Sequence, residues 1–138
     1  SESLEPTGIH CHIGSQLTQL QPIKDAVKIV ADLVRNLKAI KIELSFMDVG
    51  GGLGIVYKDE TLIDTYEYTQ SILDVMFGLD LTVICEPGRF IVGNSGVFVT
   101  KVLYEKVNGN KRFIIVDGAM NDLIRPALYN AYHRIEVL

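Results

Sequence analysis

Three short segments of this 138-residue sequence contain residue types that can bind an anion or exchange a proton. They are His-Ile-Gly-Ser at 12–15, Gly-Gly-Gly-Leu-Gly at 50–54 and Glu-Pro-Gly-Arg at 86–89. The glycines let backbone N–H groups approach a ligand closely and point the same way, which suits phosphate oxygens; a plain tight turn is the simpler alternative. Neither common nucleotide motif is present, because Ile55 stands where a dinucleotide fingerprint needs its last glycine and no Gly-Lys-Ser/Thr follows.

Two histidines, His10 and His12, flank Cys11 near the start of the chain. In a strand, this spacing puts both imidazoles on one face and the thiol on the other. Three interpretations are open: a pair of metal ligands, a hydrogen-bonded core histidine, or a ring that contacts a bound molecule. A metal site usually needs a third protein ligand, and His133 is remote in the sequence, so we expect no metal and assign His12 to a ring contact.

Glu86 follows an apolar run directly and precedes Pro87 and Gly88. A carboxylate is costly to bury there unless it meets a cation or a hydrogen-bond donor. The nearby Arg89 offers a purely structural ion pair, which is the alternative to a role in binding or catalysis.

The segments between these motifs alternate in hydrophobic period. Short apolar runs at 9–13, 43–49 and 81–85 indicate strands, and steps of three and four predict helices over 21–40 and around 68–79. Strand, helix, strand, helix, strand in this order is typical of parallel βα units, so the fold class is α/β. Because ligands gather at the carboxyl ends of parallel strands, the three polar segments are expected to share one edge of the sheet.

The pattern changes near residue 97. Residues 97–107 and 112–117 are β-rich, and the residues between them, 108–111, suit a hairpin turn, so antiparallel structure is expected. We therefore divide the chain into a βα domain at 1–96 and a β-rich region at 97–138. The tail at 117–132 reads as irregular.

Composition excludes several classes of protein. Hydrophobic residues make up 48% and charged residues 22%, which is typical of a folded globular domain. Thirteen basic against 17 acidic residues give a net charge of −4, which disfavours nucleic acid and anionic lipid as partners. No apolar run approaches the roughly 18 residues of a membrane-spanning helix, and no signal peptide is visible. Cys11 and Cys85 lie in apolar runs and are expected to be buried free thiols in the cytoplasm.

Taken together, the motifs at 12–15, 48–52 (Asp-Val-Gly-Gly-Gly) and 86–89 resemble the fold-type III pyridoxal-phosphate decarboxylases. The run from Met120 to Tyr129 resembles the branch that acts on diaminopimelate more than the ornithine or arginine branches. The resemblance implies an alanine-racemase-like (β/α)8 barrel followed by a β domain. Because a full barrel takes about 250 residues, this chain is expected to hold only the C-terminal part of the barrel and the entry into the β domain.

The resemblance also implies roles in binding pyridoxal 5'-phosphate. Glu86 would face the pyridine nitrogen and His12 would lie against the ring, which makes these two the expected catalytic residues. Arg89 would bind either the phosphate or a substrate carboxylate. The phosphate would be held by the Ser15 hydroxyl and the backbone N–H groups of Gly50, Gly51 and Gly52.

The expected substrate is a small amino acid, meso-diaminopimelate, whose distal carboxylate Arg125 and Tyr129 would bind, and the expected product is lysine. The family's cofactor-attaching lysine lies in an early barrel strand, and its Cys and Glu pair, contributed across a homodimer interface, lies further along the β domain. Neither segment is in this sequence, so the chain alone is expected to be inactive. The alternatives are a carboxynorspermidine, ornithine or arginine type of decarboxylase, or a non-catalytic homologue that binds the cofactor.

Overall fold

The structure is a computed structural model that describes residues 3–138. It divides into two compact units, Ser1–Ser95 and Gly96–Leu138, called unit 1 and unit 2 below. The sequence analysis put the boundary one residue later, between 96 and 97.

Unit 1 is built on three parallel strands in chain order: β1 (Gly8–His10), β2 (Phe46–Asp48) and β3 (Thr82–Ile84). The parallel βα arrangement expected from the sequence is therefore confirmed. Each strand is shorter than its apolar run, because the chain leaves the ladder to form the loops that follow. Cys11 still donates its N–H to Asp48 O at 3.0 Å, but the strand itself ends at His10. The expectation that His12 lies within the first strand is therefore wrong, since it belongs to the loop beyond it.

The two crossover helices also follow the predicted order. Helix α1 spans Leu20–Ala39, one residue earlier than predicted, and α2 spans Thr65–Met76. The Asp64 carboxylate accepts hydrogen bonds from the N–H groups of Tyr66 and Glu67, which fixes the start of α2. The predicted stripe continued to Leu79, but the helix ends earlier because the chain turns at Gly78, whose φ is +79°. A short helix, α3 (Gly88–Val92), follows the third strand.

The core of unit 1 lies between the helices and one face of the sheet. Val27 and Ala31 of α1, Met47 of β2 and Ile72 of α2 are almost fully buried and belong to one cluster. The flanking strands contribute their same-face residues Ile9 and Val83 to its edge. Because strand side chains alternate, the opposite face presents His10 and Asp48, leaving them free to take part in a site.

Unit 2 contains the expected antiparallel hairpin. Strands β4 (Val102–Asn108) and β5 (Lys111–Val116) pair around a turn in which Gly109 has φ +59°. The tail is less irregular than expected, because α4 (Arg125–Tyr129) forms one helical turn with Pro126 near its start and Asn130 in the left-handed region at its end. In the described part of the chain, no helix is long and apolar enough to cross a membrane.

Candidate active site

The glycine loop after β2 is packed between the loops that follow β1 and β3. A Cβ atom on Gly50 would lie 2.3 Å from Cys11 O, one on Gly51 would lie 2.0 Å from Glu86 O, and one on Gly52 would lie 2.1 Å from Gly14 O. Gly52 also has a φ of +96°, which side chains rarely adopt. The loop is therefore more than a plain tight turn, because a side chain at any of these three positions would push apart the neighbouring loops.

The three glycine N–H groups have different partners. Gly50 donates to the Asp48 Oδ1 atom at 2.8 Å, and Gly51 points at the His12 Nδ1 atom at a longer 3.3 Å. The Gly52 N–H has no hydrogen-bond partner within the described residues. Of the three N–H groups expected to bind a phosphate, Gly50 therefore has a close carboxylate acceptor and Gly51 a more distant imidazole acceptor.

Ser15 is exposed and lies in a segment that pairs with the glycine loop. Leu17 donates its N–H to Gly52 O at 2.8 Å, and Gly54 donates back to Leu17 O at 3.0 Å. These two bonds extend the parallel pairing of unit 1 beyond the strand ends, and they hold the Ser15 loop alongside the glycines.

Gln16 connects its own loop, which follows β1, to the glycine loop and to the segment that follows β3. No motif in the sequence singles it out. Its side chain forms two hydrogen bonds with the backbone of Ile55: Nε2 donates to the carbonyl at 2.5 Å, and Oε1 accepts from the N–H at 3.2 Å. The Arg89 Nη1 atom lies 3.5 Å from the same Oε1. Gln16 has φ +60°, a left-handed backbone that no pattern in the sequence signals.

Glu86 is held by both its backbone and its side chain. Its N–H donates to Gly50 O at 2.8 Å, and its Oε2 lies 3.3 Å from His10 Nε2. The ion pair with Arg89 considered from the sequence is not among those formed by the described residues, because Arg89 faces Gln16 instead. Both His10 and Glu86 are about half exposed, so the pair lies open toward a ligand.

The two histidines do not act as a pair. His10 turns to Glu86, and together with Asp48 these residues bring one ligand atom each to within 4.8 Å of one another, whereas His12 Nδ1 faces the N–H of Gly51. The metal site considered from the sequence requires both imidazoles as ligands. In the structure the two imidazoles contact different partners, so they do not form that site. Two of these three residues, His10 and Glu86, are exposed, and exposed acidic groups are common without an ion.

Both cysteines are free thiols, as expected, but neither is fully buried: Cys11 is half-buried and Cys85 is exposed. Burial of the sulfur atoms nonetheless raises the pKa of both thiols. Burial also raises the pKa of the Tyr68 phenol, and its hydrogen bond to Cys85 adds to that increase. The negative charge of the nearby Asp48 carboxylate raises all three pKa values further.

Arg125 and Tyr129 stand at the two ends of α4 in unit 2, with the guanidinium carbon 5.8 Å from the centre of the Tyr129 ring. Their association is therefore local, through one helical turn.

Lys24 and Lys28 lie on α1, in the helix layer of unit 1, so neither projects from a strand end.

The strand ends of unit 1 fit the chemistry of a phosphorylated pyridine. A hydroxyl, an unpartnered N–H and a guanidinium are the donors that a phosphate needs, and the close packing of the glycine loop holds the loops that carry Ser15 and Glu86 beside it. The carboxylate of Glu86 is open to a pyridine nitrogen, where an anion favours the protonated ring. Fold and site together define a pyridoxal-phosphate-binding α/β protein.

Residues 1–93 match the family described as pyridoxal-dependent decarboxylase, pyridoxal binding domain. The chain belongs to this family. This confirms the resemblance stated from the three motifs and the expected cofactor.

The most similar relatives have one shared name. The chain is 60% identical over 136 residues to a diaminopimelate decarboxylase of Campylobacter jejuni, covering 98% of this chain and 34% of the relative. It is 54% identical over 138 residues to one of Helicobacter pylori, covering 100% of this chain and 34% of the relative. The chain thus spans about a third of the length of the curated relatives it matches.

Solved structures agree in fold. The crystal structure of the Helicobacter pylori diaminopimelate decarboxylase complexed with L-lysine superposes with a TM-score of 0.86 at 55% identity, covering 94% of this chain and 32% of that chain. A lysine/ornithine decarboxylase complexed with cadaverine from Vibrio vulnificus has a TM-score of 0.77 at 18% identity, covering 95% of this chain and 36% of that chain, a likeness of fold alone.

Proposed function

We propose that this chain is part of an enzyme that decarboxylates meso-diaminopimelate to lysine with pyridoxal phosphate, the last step of lysine biosynthesis. The observation that carries the proposal is the convergence of the glycine loop, the Ser15 loop and Glu86 at one edge of the sheet. Relatives at 54–60% identity that are named diaminopimelate decarboxylase support the choice of substrate.

The cofactor, when bound, supplies an electron sink that delocalises the electron pair left when carbon dioxide departs. Glu86 would favour a protonated pyridine nitrogen, because a nearby anion stabilises the charged ring. The backbone bond from Glu86 N–H to Gly50 O holds this carboxylate relative to the glycine loop. His12, whose Nδ1 is directed to the Gly51 N–H, would contact the cofactor ring and help to orient it.

Ser15, the N–H groups of Gly51 and Gly52, and Arg89 would hold the phosphate. Gly50 serves as a close-packed spacer, since its N–H is engaged by Asp48. The position of Arg89 beside Gln16 supports the phosphate over a substrate carboxylate as its partner, because Gln16 follows Ser15 directly.

We assign the selection of the substrate to Arg125 and Tyr129. A guanidinium fork matches a carboxylate, and a second carboxylate is what separates diaminopimelate from ornithine or lysine. The two residues share one helical turn, so both can address the same distal group.

The architecture proposed for the whole enzyme is an alanine-racemase-like (β/α)8 barrel followed by a β domain. Unit 1 would be the C-terminal part of that barrel and unit 2 the entry into the β domain. The sequential parallel strands and the single helix layer of unit 1 support a barrel segment. The cofactor-attaching lysine and a cross-interface Cys and Glu would come from outside this chain, within a cytoplasmic homodimer. We propose no nucleic-acid or membrane partner.

The test is carbon dioxide release by the complete enzyme loaded with pyridoxal phosphate. We expect turnover of meso-diaminopimelate and none of ornithine, arginine or carboxynorspermidine. Preference for one of the latter would establish another decarboxylase of the family. Cofactor binding without turnover of any of them would establish a non-catalytic homologue.

A further inference from the structure

We propose that Gln16 is a positioning residue that fixes the phosphate site by bracing three loops at once. The inference rests on the proposed function, and it goes beyond it by assigning a role to a side chain that need not contact the cofactor. Gln16 is partly buried, and its amide has partners 39 and 73 residues away in the sequence.

The first part of the brace is the bond to the glycine loop. The Gln16 side chain presents a donor and an acceptor to the N–H and carbonyl of Ile55, as a neighbouring strand would. Together with the backbone bonds of Leu17 to Gly52 and Gly54, it fixes both ends of the 52–55 segment. The unpartnered N–H of Gly52 therefore has a defined direction relative to Ser15.

The second part is the contact with Arg89. The Arg89 side chain is long and flexible, so its guanidinium needs a fixed acceptor to stand ready for an anion. Gln16 Oε1 supplies a neutral acceptor 3.5 Å from Nη1. A neutral acceptor orients the guanidinium without cancelling its charge, which a carboxylate at this place would do.

The backbone supports the same conclusion. A glutamine with φ +60° is uncommon, and such a conformation persists only where the surroundings hold it. Here the hydrogen bonds of the Gln16 side chain supply that restraint. The left-handed backbone conformation, for its part, directs this side chain toward Ile55.

The experiment compares variants of the complete enzyme prepared without cofactor. Gln16→Met keeps the length of the side chain and removes the amide. Gln16→Asn keeps the amide and tolerates the left-handed backbone, but it is one methylene too short to reach Ile55. Gln21→Met is the matched control, because Gln21 is exposed on α1 and, among the described residues, its side chain bonds only Asp25. Titration with pyridoxal phosphate gives Kd, and the phosphorus NMR signal of the bound phosphate reports its surroundings.

We expect both Gln16 variants to raise Kd by about tenfold to thirtyfold, as the loss of two neutral hydrogen bonds predicts, and to shift the phosphorus signal. The control should leave both unchanged. In an Arg89→Lys background the Gln16→Met effect should shrink, because the guanidinium that Gln16 orients is gone.

Kd and the phosphorus signal within twofold of wild type for Gln16→Asn would overturn the inference, and this variant decides the matter if Gln16→Met does not fold. A lowered melting temperature with an unmoved phosphorus signal would also overturn it, in favour of a purely structural role. Failure of the wild type to bind the cofactor would instead overturn the proposed function.

Discussion

Unit 1 and unit 2 differ in how far their apolar side chains are buried. All the buried hydrophobic side chains of the described residues lie in unit 1, where two helices cover one sheet face. Unit 2 has none, and Val97 and Ile135 are 91% and 92% exposed. A two-stranded hairpin is marginally stable by itself. The difference shows that a β-rich pattern is enough to specify strands, whereas burial requires a second layer.

The functional residues divide along the same line. In our proposal, the cofactor is bound by loops that a packed core of unit 1 positions, and the distal carboxylate of the substrate is bound by α4 of unit 2. Precise placement of a charged cofactor needs rigid support, and among the residues that the structure describes, only those of unit 1 form a core that can provide it. Five predictions test this contrast.

The largest effect concerns the core. Met47→Ala should lower the free energy of unfolding of unit 1 by about 2–5 kcal/mol, because Met47 is completely buried and its loss leaves a cavity. Leu103→Ala in unit 2 should cost less than about 0.5 kcal/mol, since Leu103 is exposed. Urea unfolding of the chain measures both. Equal losses would show that unit 2 is as well packed as unit 1.

The second prediction concerns catalysis from unit 1. Glu86→Gln in the complete enzyme keeps the size of the side chain and removes its charge, so turnover should fall about 100-fold while the cofactor still binds. Stopped-flow kinetics and cofactor absorbance measure the two effects separately. Retained activity with a lower melting temperature would mean that Glu86 serves only the structural contact with His10.

The third prediction concerns specificity from unit 2. Arg125→Ala should raise KM for diaminopimelate about 30-fold, because a charged hydrogen bond present before and during reaction is lost. Tyr129→Phe should raise it about fivefold through loss of one neutral hydrogen bond. The ratio of kcat/KM for diaminopimelate and lysine is the measurement. If that ratio is unchanged in Arg125→Ala, α4 does not bind the distal carboxylate.

The smallest effect concerns the two thiols of unit 1. Because their pKa values are raised, iodoacetamide at pH 8 should label both more slowly than a free cysteine. The Tyr68 hydrogen bond lowers the pKa of Cys85, so Tyr68→Phe should raise it further and slow Cys85 by about threefold, with Cys11 as the internal control. Site-resolved mass spectrometry measures both rates; equal slowing of the two thiols would contradict the assignment.

The same raised pKa values make the stability of unit 1 depend on pH. The stability that the neutral thiols contribute is complete below their ordinary pKa of 9.0, at which the unfolded thiols ionise. It is lost as the pH rises through the higher folded values. Unfolding midpoints should therefore decline above about pH 9, and a rise there would contradict the direction of the shift.

Much of unit 1 follows from local sequence. The three- and four-residue spacing of apolar side chains predicted α1 to within one residue at each end, and the apolar runs located all three parallel strands. The glycine, serine and glutamate motifs fall after those strands for the same reason, since a parallel sheet collects the ends of its strands at one edge. These features are determined by the hydrophobic period, which can be read from a few neighbouring residues.

The partners within the site could not be found in this way. His10 meets Glu86 across 76 residues and Gln16 meets Ile55 across 39, so no local pattern links them. Proximity in the chain predicts a pair of Glu86 and Arg89, whereas the strand register gives that carboxylate to His10 and turns Arg89 toward Gln16. The sequence by itself determined which residues reach the edge of the sheet. Only the tertiary structure decided which of them touch, because those contacts depend on how far each strand extends before its loop turns away.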